Sequence, residues 1–134
     1  MIDSVSKLFS AFQNATGEDF KSQDVRSNEV YAAFFFGMTI TMCNTYELNF
    51  EASLQEILEI FQTEFGFDAA HAGEFITFLM QSMAPRVNPE FFAVIRLGMD
   101  DFYDLEDGNT DDLTTVLPTL VDSILGGTRS DVQF

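Results

Sequence analysis

Residues 30–43 of the 134-residue chain read VYAAFFFGMTITMC and form its longest apolar stretch. The Thr and Phe content leaves a β-strand possible over 34–42. However, the apolar character continues over about 28–46, and strands usually end after about eight residues. A central helix that is buried on most sides is therefore favoured. Gly37 destabilises such a helix by about 1 kcal/mol relative to Ala, unless a neighbouring backbone packs against it.

Amphipathic patterns on both sides of this stretch predict five further helices. The third helix is the clearest, because apolar residues recur with helical spacing over 54–65. Asp68 is positioned to cap a fourth helix, residues 88–89 begin a fifth, and a sixth begins near 109–110. The polar residues 17–27 predict a loop. We therefore expect an all-α fold, a compact bundle of about six helices, with the last four paired as two helical hairpins.

The length and composition predict a single helical domain over 1–134, with a flexible tail at 128–134. The hydrophobic fraction of 46%, with 16 Phe and no Trp, is too high for a disordered chain and sufficient for a core. The Phe residues suit a dimer interface as well as they suit a core. The sequence is thus compatible with a monomer or a homodimer.

The chain is strongly acidic, with 22 Asp and Glu against 6 Lys and Arg and a formal net charge of −16. Such a field repels phosphate backbones and anionic lipids, and it attracts basic proteins. We therefore expect no direct nucleic-acid partner and no membrane partner. Solubility alone is the alternative explanation of the charge.

Several features predict a cytoplasmic protein. Cys43 is the single cysteine and cannot form an internal disulfide, which suits a reducing compartment. Residues 1–7 lack the basic start and apolar run of a signal peptide. The stretch 30–43 is shorter than the roughly 18–20 residues that a membrane span needs.

Metal-ligand patterns are incomplete in this sequence. Asp68 and His71 share a helix face, as in di-metal carboxylate bundles, but those sites need a second such motif. Structural zinc needs four ligands, and the chain has one Cys and one His. Alignment of Gly108 with the glycine of a calcium loop places Tyr103 and Leu105 where carboxylates are required. We expect no metal site and no cofactor.

Catalytic patterns are also weak. Cys43 lies in the most apolar segment, where a reactive thiolate is disfavoured. No glycine-rich phosphate loop occurs. A pair of carboxylates could in principle catalyse a hydrolysis, but any chain this acidic contains such pairs. We predict that the protein is not an enzyme.

Acidic residues concentrate where the fifth helix turns into the sixth, and no Lys or Arg occurs between Leu97 and Leu125. Beside Tyr103, seven of them fall within thirteen positions: Asp100, Asp101, Asp104, Glu106, Asp107, Asp111 and Asp112. The last two favour the positive end of the sixth helix. Those at 104–107 lie near the C-terminal end of the fifth helix, where acids are unfavourable. A basic partner would explain them, so we predict that these eight residues form a partner-binding surface, with Tyr103 as an anchor.

In size, acidity, helical order and lack of catalytic residues, the whole chain resembles the small, all-helical immunity proteins that bacteria make against toxins delivered between cells. The resemblance implies that the protein binds and neutralises a cognate toxin, with steering by opposite charge where the toxin is basic. Two alternatives remain open. A secretion-effector chaperone would expose a groove lined by Phe and Met, and an acidic DNA mimic would inhibit a nucleic-acid-binding protein. Clustering of the charge at one turn counts against the mimic.

Overall fold

The computed structural model describes the backbone of residues 1–133 and the side chains of residues 1–125. Its six α-helices are α1 (Val5–Thr16), α2 (Val25–Tyr46), α3 (Phe50–Thr63), α4 (Ala69–Gln81), α5 (Pro89–Glu106) and α6 (Leu117–Gln133). The described backbone contains no strand, so the all-α prediction is confirmed and the strand considered over 34–42 is excluded. The tail predicted at 128–134 lies outside the residues whose side chains are described.

The central helix, α2, is buried along most of its length, as the sequence predicts. Between Val30 and Cys43 every residue except Ile40 is buried. α1, α3, α5 and α6 all pack against it. The Phe residues fill the surrounding space, since eleven of the sixteen are buried among the described residues.

α2 and α5 cross with their backbones in contact. A Cβ atom built on Gly37 would lie 2.1 Å from the carbonyl oxygen of Ile95, and one on Gly98 would lie 2.1 Å from that of Phe34. Neither separation is possible for real atoms, so the crossing requires glycine on both helices. A neighbouring backbone therefore packs against Gly37, which is the condition under which a glycine is expected to be tolerated at this position of the helix.

Hydrogen bonds continue the α2–α5 contact towards the C-terminal ends of both helices. The Thr41 hydroxyl donates to the carbonyl oxygen of Met99 at 2.8 Å, and the hydroxyls of Thr45 and Tyr103 lie 3.1 Å apart. Residue numbers increase together along both helices, so α2 and α5 run parallel. The C-terminal end of α2 therefore lies beside the acidic end of α5.

The predicted loop over 17–27 is partly wrong. Its Phe20 is only 1% exposed and lies in a 3₁₀ turn, Phe20–Ser22. Asp24 caps α2, which therefore begins three residues earlier than predicted. The buried side-chain amide of Asn28 donates to the carbonyl oxygens of Phe20 and Phe65, at 2.6 and 3.0 Å. These bonds attach the segment to the core, and its polar composition did not reveal them.

The sequence predicts that the last four helices pair as two hairpins, and among the described residues this pairing is clear only for the first two of them. α3 and α4 pack together as a hairpin. α5 makes its most extensive contacts with α2, and α6 also packs against α2. A π-helical turn, Asp112–Val116, precedes α6. Its wide turn accommodates Pro118, which lacks an N–H donor and would clash with the carbonyl group four residues earlier in a regular helix.

Substitution of either crossing glycine by alanine should destabilise the protein. We expect Gly37→Ala and Gly98→Ala to lower the free energy of unfolding by about 2–3 kcal/mol each, because the two backbones must separate. Urea denaturation measures the change. Gly73→Ala in α4 is the matched control, since a Cβ atom there would meet nothing within 4 Å. The control should be neutral or stabilising by up to about 1 kcal/mol, and equal losses in all three variants would contradict the role of the crossing.

Candidate functional site

The C-terminal half of α5 presents an exposed acidic face. Asp100, Tyr103, Asp104 and Asp107 are all exposed, and their i, i+3, i+4, i+7 spacing places them on one side of the helix. Asp111 is exposed just beyond the turn. We call these five residues the acidic face. The structure thus brings five of the eight predicted contact residues together on one surface.

Tyr103 is the large side chain of this face, and it is 53% exposed. Its hydroxyl lies 3.1 Å from that of Thr45 on α2, and its ring packs edge-to-face with that of Phe102 at a centroid distance of 5.7 Å. Both contacts restrict the ring. An aromatic side chain that is exposed and already positioned loses little conformational entropy when a partner covers it.

Glu106 has partners within the protein. Its carboxylate accepts hydrogen bonds from the Tyr46 hydroxyl and from the backbone N–H of Ile2, the latter at 3.0 Å. The hydrogen bond to this carboxylate raises the pKa of Tyr46 to about 12. The unfavourable position of Glu106 at a helix C-terminus is therefore offset by tertiary contacts, and this acid does not require an external partner to explain it.

Asp101 and Asp112 lie apart from the acidic face. Asp101 is only 2% exposed, and no donor group contacts either of its carboxylate oxygens. Oxygens of Asp101, Asp104 and Asp112 lie within 4.8 Å of one another. Burial is the main reason that the pKa of Asp101 is raised to about 7, followed by a hydrogen bond to Asp112 that a protonated Asp101 donates, and by the nearby charges of Asp112 and Asp104.

The turn between α5 and α6 has a defined geometry. Gly108 adopts a positive φ of 88°, a conformation that favours glycine. The backbone N–H of Asn109 donates to the carbonyl oxygen of Asp104 at 2.8 Å. The side chain of Asn109 accepts from the N–H of Asp111 at 3.1 Å. Asn109 therefore orders the turn, while Asp111 and Asp112 begin the helical segment that follows.

Other residues considered from the sequence have structural partners. Asp68 caps α4, as predicted, by accepting from the N–H of His71 at 2.7 Å. The ring of His71 stacks on Phe67 and its Nε2 lies 3.1 Å from a carboxylate oxygen of Glu29. Cys43 is buried, with its sulfur 3.4 Å from the hydroxyl of Ser53.

An apolar groove of about 290 Å³ lies on another part of the surface. Met80 and Met83, at the end of α4, contribute to its rim and are 46% and 37% exposed. Phe36, Ile40 and Phe50 contribute to its lining. Exposed methionines around a groove are typical of adaptable binding surfaces, so this groove is the main rival of the acidic face as a contact surface.

Removal of the Asp101 charge should stabilise the metal-free protein above neutral pH. The folded-state pKa of about 7 lies above the ordinary Asp value of 3.8, so between these values the folded protein holds a proton that the unfolded chain has released. Stability from this group therefore falls as pH rises from about 4 to about 7. The Asp101→Asn variant does not lose stability in this way, and its side-chain amide can donate a hydrogen bond to Asp112. We therefore expect it to be more stable than wild type by about 1–2 kcal/mol at pH 8.

Denaturant titrations with a chelator measure this difference at pH 5, about one unit above the lower limit of that range, and at pH 8, about one unit above its upper limit. Asp100→Asn, which changes an exposed neighbouring carboxylate, should show the same pH dependence as wild type. A difference between Asp101→Asn and wild type that is the same at both pH values would contradict the prediction.

None of the described helices combines the length and the apolar character needed to cross a membrane. No curated protein and no solved structure matches the chain. A family model does match: the one described as immunity protein 48 covers residues 4–124, which include α1 to α5 and the acidic face. The chain therefore belongs to this family of immunity proteins.

Proposed function

We propose that the protein binds and neutralises a cognate, basic bacterial toxin through its acidic face. Membership of an immunity protein family implies a toxin as partner, and such families are generally not enzymes. The observation that carries the choice of surface is the exposed stripe of Asp100, Tyr103, Asp104 and Asp107 on α5. Steering by opposite charge would speed its encounter with a basic toxin.

The contact surface is narrower than the eight residues that the sequence predicts. Asp101 is buried, and Glu106 already accepts two internal hydrogen bonds. Neither carboxylate is available to a partner without a change in the fold. We therefore assign the contact to the acidic face, and we regard Asp101, Glu106 and Asp112 as residues that support it.

We infer that this binding takes place in the cytoplasm. Cys43 is a free, buried cysteine, and a reducing compartment keeps such a thiol unmodified. An immunity protein that meets its toxin there prevents damage after the toxin has entered the cell. The family membership and the acidic face do not require a membrane partner or direct binding of nucleic acid.

Charge reversal on the acidic face should slow association with the toxin. The variant Asp100→Lys, Asp107→Lys, Asp111→Lys should lower the association rate by at least about tenfold at low salt, and its rate should depend less on salt than that of wild type, because long-range attraction is lost. The assay uses the cognate toxin, identified by co-purification from the native organism, with rapid-mixing kinetics for binding and survival of co-expressing cells for protection.

A triple reversal on α3, Glu51→Lys, Glu56→Lys, Glu59→Lys, is the matched control. It makes the same change in net charge at three exposed positions of another helix. An equal loss in the control would mean that bulk charge matters and that the acidic face does not. If the acidic-face variant retains full binding while Met80→Gln, Met83→Gln loses it, the apolar groove is the contact surface.

Truncation of Tyr103 should weaken the complex more than loss of its hydroxyl. We expect Tyr103→Ala to raise the Kd by roughly 30-fold, equivalent to about 2 kcal/mol, because buried aromatic anchors dominate interface energies. Tyr103→Phe keeps the ring and loses only the contact with Thr45, so it should raise the Kd by less than about fivefold. Isothermal titration calorimetry measures both, and a Kd for Tyr103→Ala within about twofold of wild type would exclude Tyr103 as an anchor.

A further inference from the structure

Three carboxylates from two segments converge beneath the acidic face. Asp101 and Asp104 lie one turn apart on α5, and Asp112 begins the π-helical turn before α6. Each contributes a carboxylate oxygen, and the three oxygens lie within 4.8 Å of one another. The cluster is formed by the tertiary fold, since the two segments meet only because the chain turns at Gly108.

The buried member of the cluster is the informative one. Asp101 is 2% exposed, it points towards two other carboxylates, and neither of its oxygens accepts a hydrogen bond from a described donor group. A buried carboxylate without a partner costs several kcal/mol, so proteins pair such groups or use them to coordinate metal ions. The ion pairs among the described residues involve Asp3 and Glu29, so no basic side chain neutralises Asp101 there.

The donor set selects a class of ion. All three donors are carboxylate oxygens, which suit hard cations such as Ca²⁺ and Mg²⁺, and the cluster has no sulfur or imidazole donor of the kind that zinc and copper prefer. Ca²⁺ binds oxygens at about 2.3–2.6 Å, so two ligands on opposite sides of the ion lie up to about 5 Å apart. Three oxygens within 4.8 Å can therefore share one Ca²⁺ ion.

We propose that Asp101, Asp104 and Asp112 form a binding site for one divalent oxygen-seeking cation, with Ca²⁺ as its preferred ion. Asp104 and Asp112 both reach solvent, so water molecules complete the coordination shell. Ca²⁺ suits the site because it accepts irregular geometry, whereas Mg²⁺ requires a near-ideal octahedron. A bound ion would join α5 to the start of α6 and fix the turn between them.

This site differs from the calcium loop that the sequence excludes. In such a loop all ligands come from one short run of residues with a fixed spacing, and Tyr103 and Leu105 break that spacing here. The present cluster takes ligands from two segments and leaves the turn itself outside. It shares Asp104 with the acidic face, but the two proposals fail separately, because the charge-reversal test changes Asp100, Asp107 and Asp111 and leaves all three ligands intact.

Calorimetric titration of CaCl₂ into the chelator-treated, desalted full-length protein tests the proposal. In a background of physiological KCl, we expect one saturable site with a Kd of about 0.1–1 mM, the range of exposed, weakly constrained Ca²⁺ sites. Asp101→Asn and Asp104→Asn should each weaken binding by at least about tenfold. Asp104 is exposed, so its variant is expected to fold even if Asp101→Asn does not.

Asp107→Asn is the control, because it removes the same charge at the C-cap of the same helix and outside the cluster. It should bind Ca²⁺ within about twofold of wild type. Thermal unfolding gives a second readout: millimolar Ca²⁺ should raise the Tm of wild type and of Asp107→Asn by a few degrees, and leave that of Asp101→Asn unchanged. Absence of saturable binding to wild type, or an equal loss in Asp107→Asn and Asp101→Asn, would overturn the proposal.

Discussion

The backbones of α2 and α5 touch at Gly37 and Gly98, and most of the structure depends on this contact. Helices with larger residues at a crossing remain 8–10 Å apart, whereas two glycines allow the carbonyl groups of one helix to lie against the Cα atoms of the other. The close approach buries α2 and fixes the register of α5 beside it. This register brings Tyr46 to Glu106, so the position of the acidic face depends on a helix crossing about two turns away.

The sequence predicts most of this fold, because helical periodicity and cap residues are local signals. The stretch 30–43 identifies the central helix, and Asp68 identifies the start of α4. What the sequence does not reveal is long-range. Gly98 has no local signal that pairs it with Gly37. Nothing in the polar segment 17–27 indicates that Phe20 is buried or that Asn28 donates a hydrogen bond to its carbonyl oxygen.

The acidic face is visible in the sequence only as a concentration of charge. Which acids are exposed depends on the buried face of α5, which contains Ile95, Gly98, Asp101, Phe102 and Leu105. The spacing of these residues is a signal that the sequence contains. The apolar stripe of α5, extended at helical spacing, includes position 101 and excludes position 100, so it identifies Asp101 as buried and Asp100 as exposed. Glu106 could not be assigned in this way, because its donors come from α2 and from the N-terminal segment.

Stability and binding favour different residues at the α5–α6 turn. Acids near the C-terminal end of a helix oppose its dipole, and a net charge of −16 repels itself. Part of that cost is offset internally, since Glu106 connects three segments of the fold. For the carboxylates of Asp100, Asp104 and Asp107, no described hydrogen bond or ion pair offsets the cost of placing a negative charge there. Exposed charges of one sign act over about a Debye length, roughly 8–10 Å. They therefore affect an approaching partner more than they affect the fold. In an immunity protein, this long-range attraction is what a binding surface for a basic toxin requires.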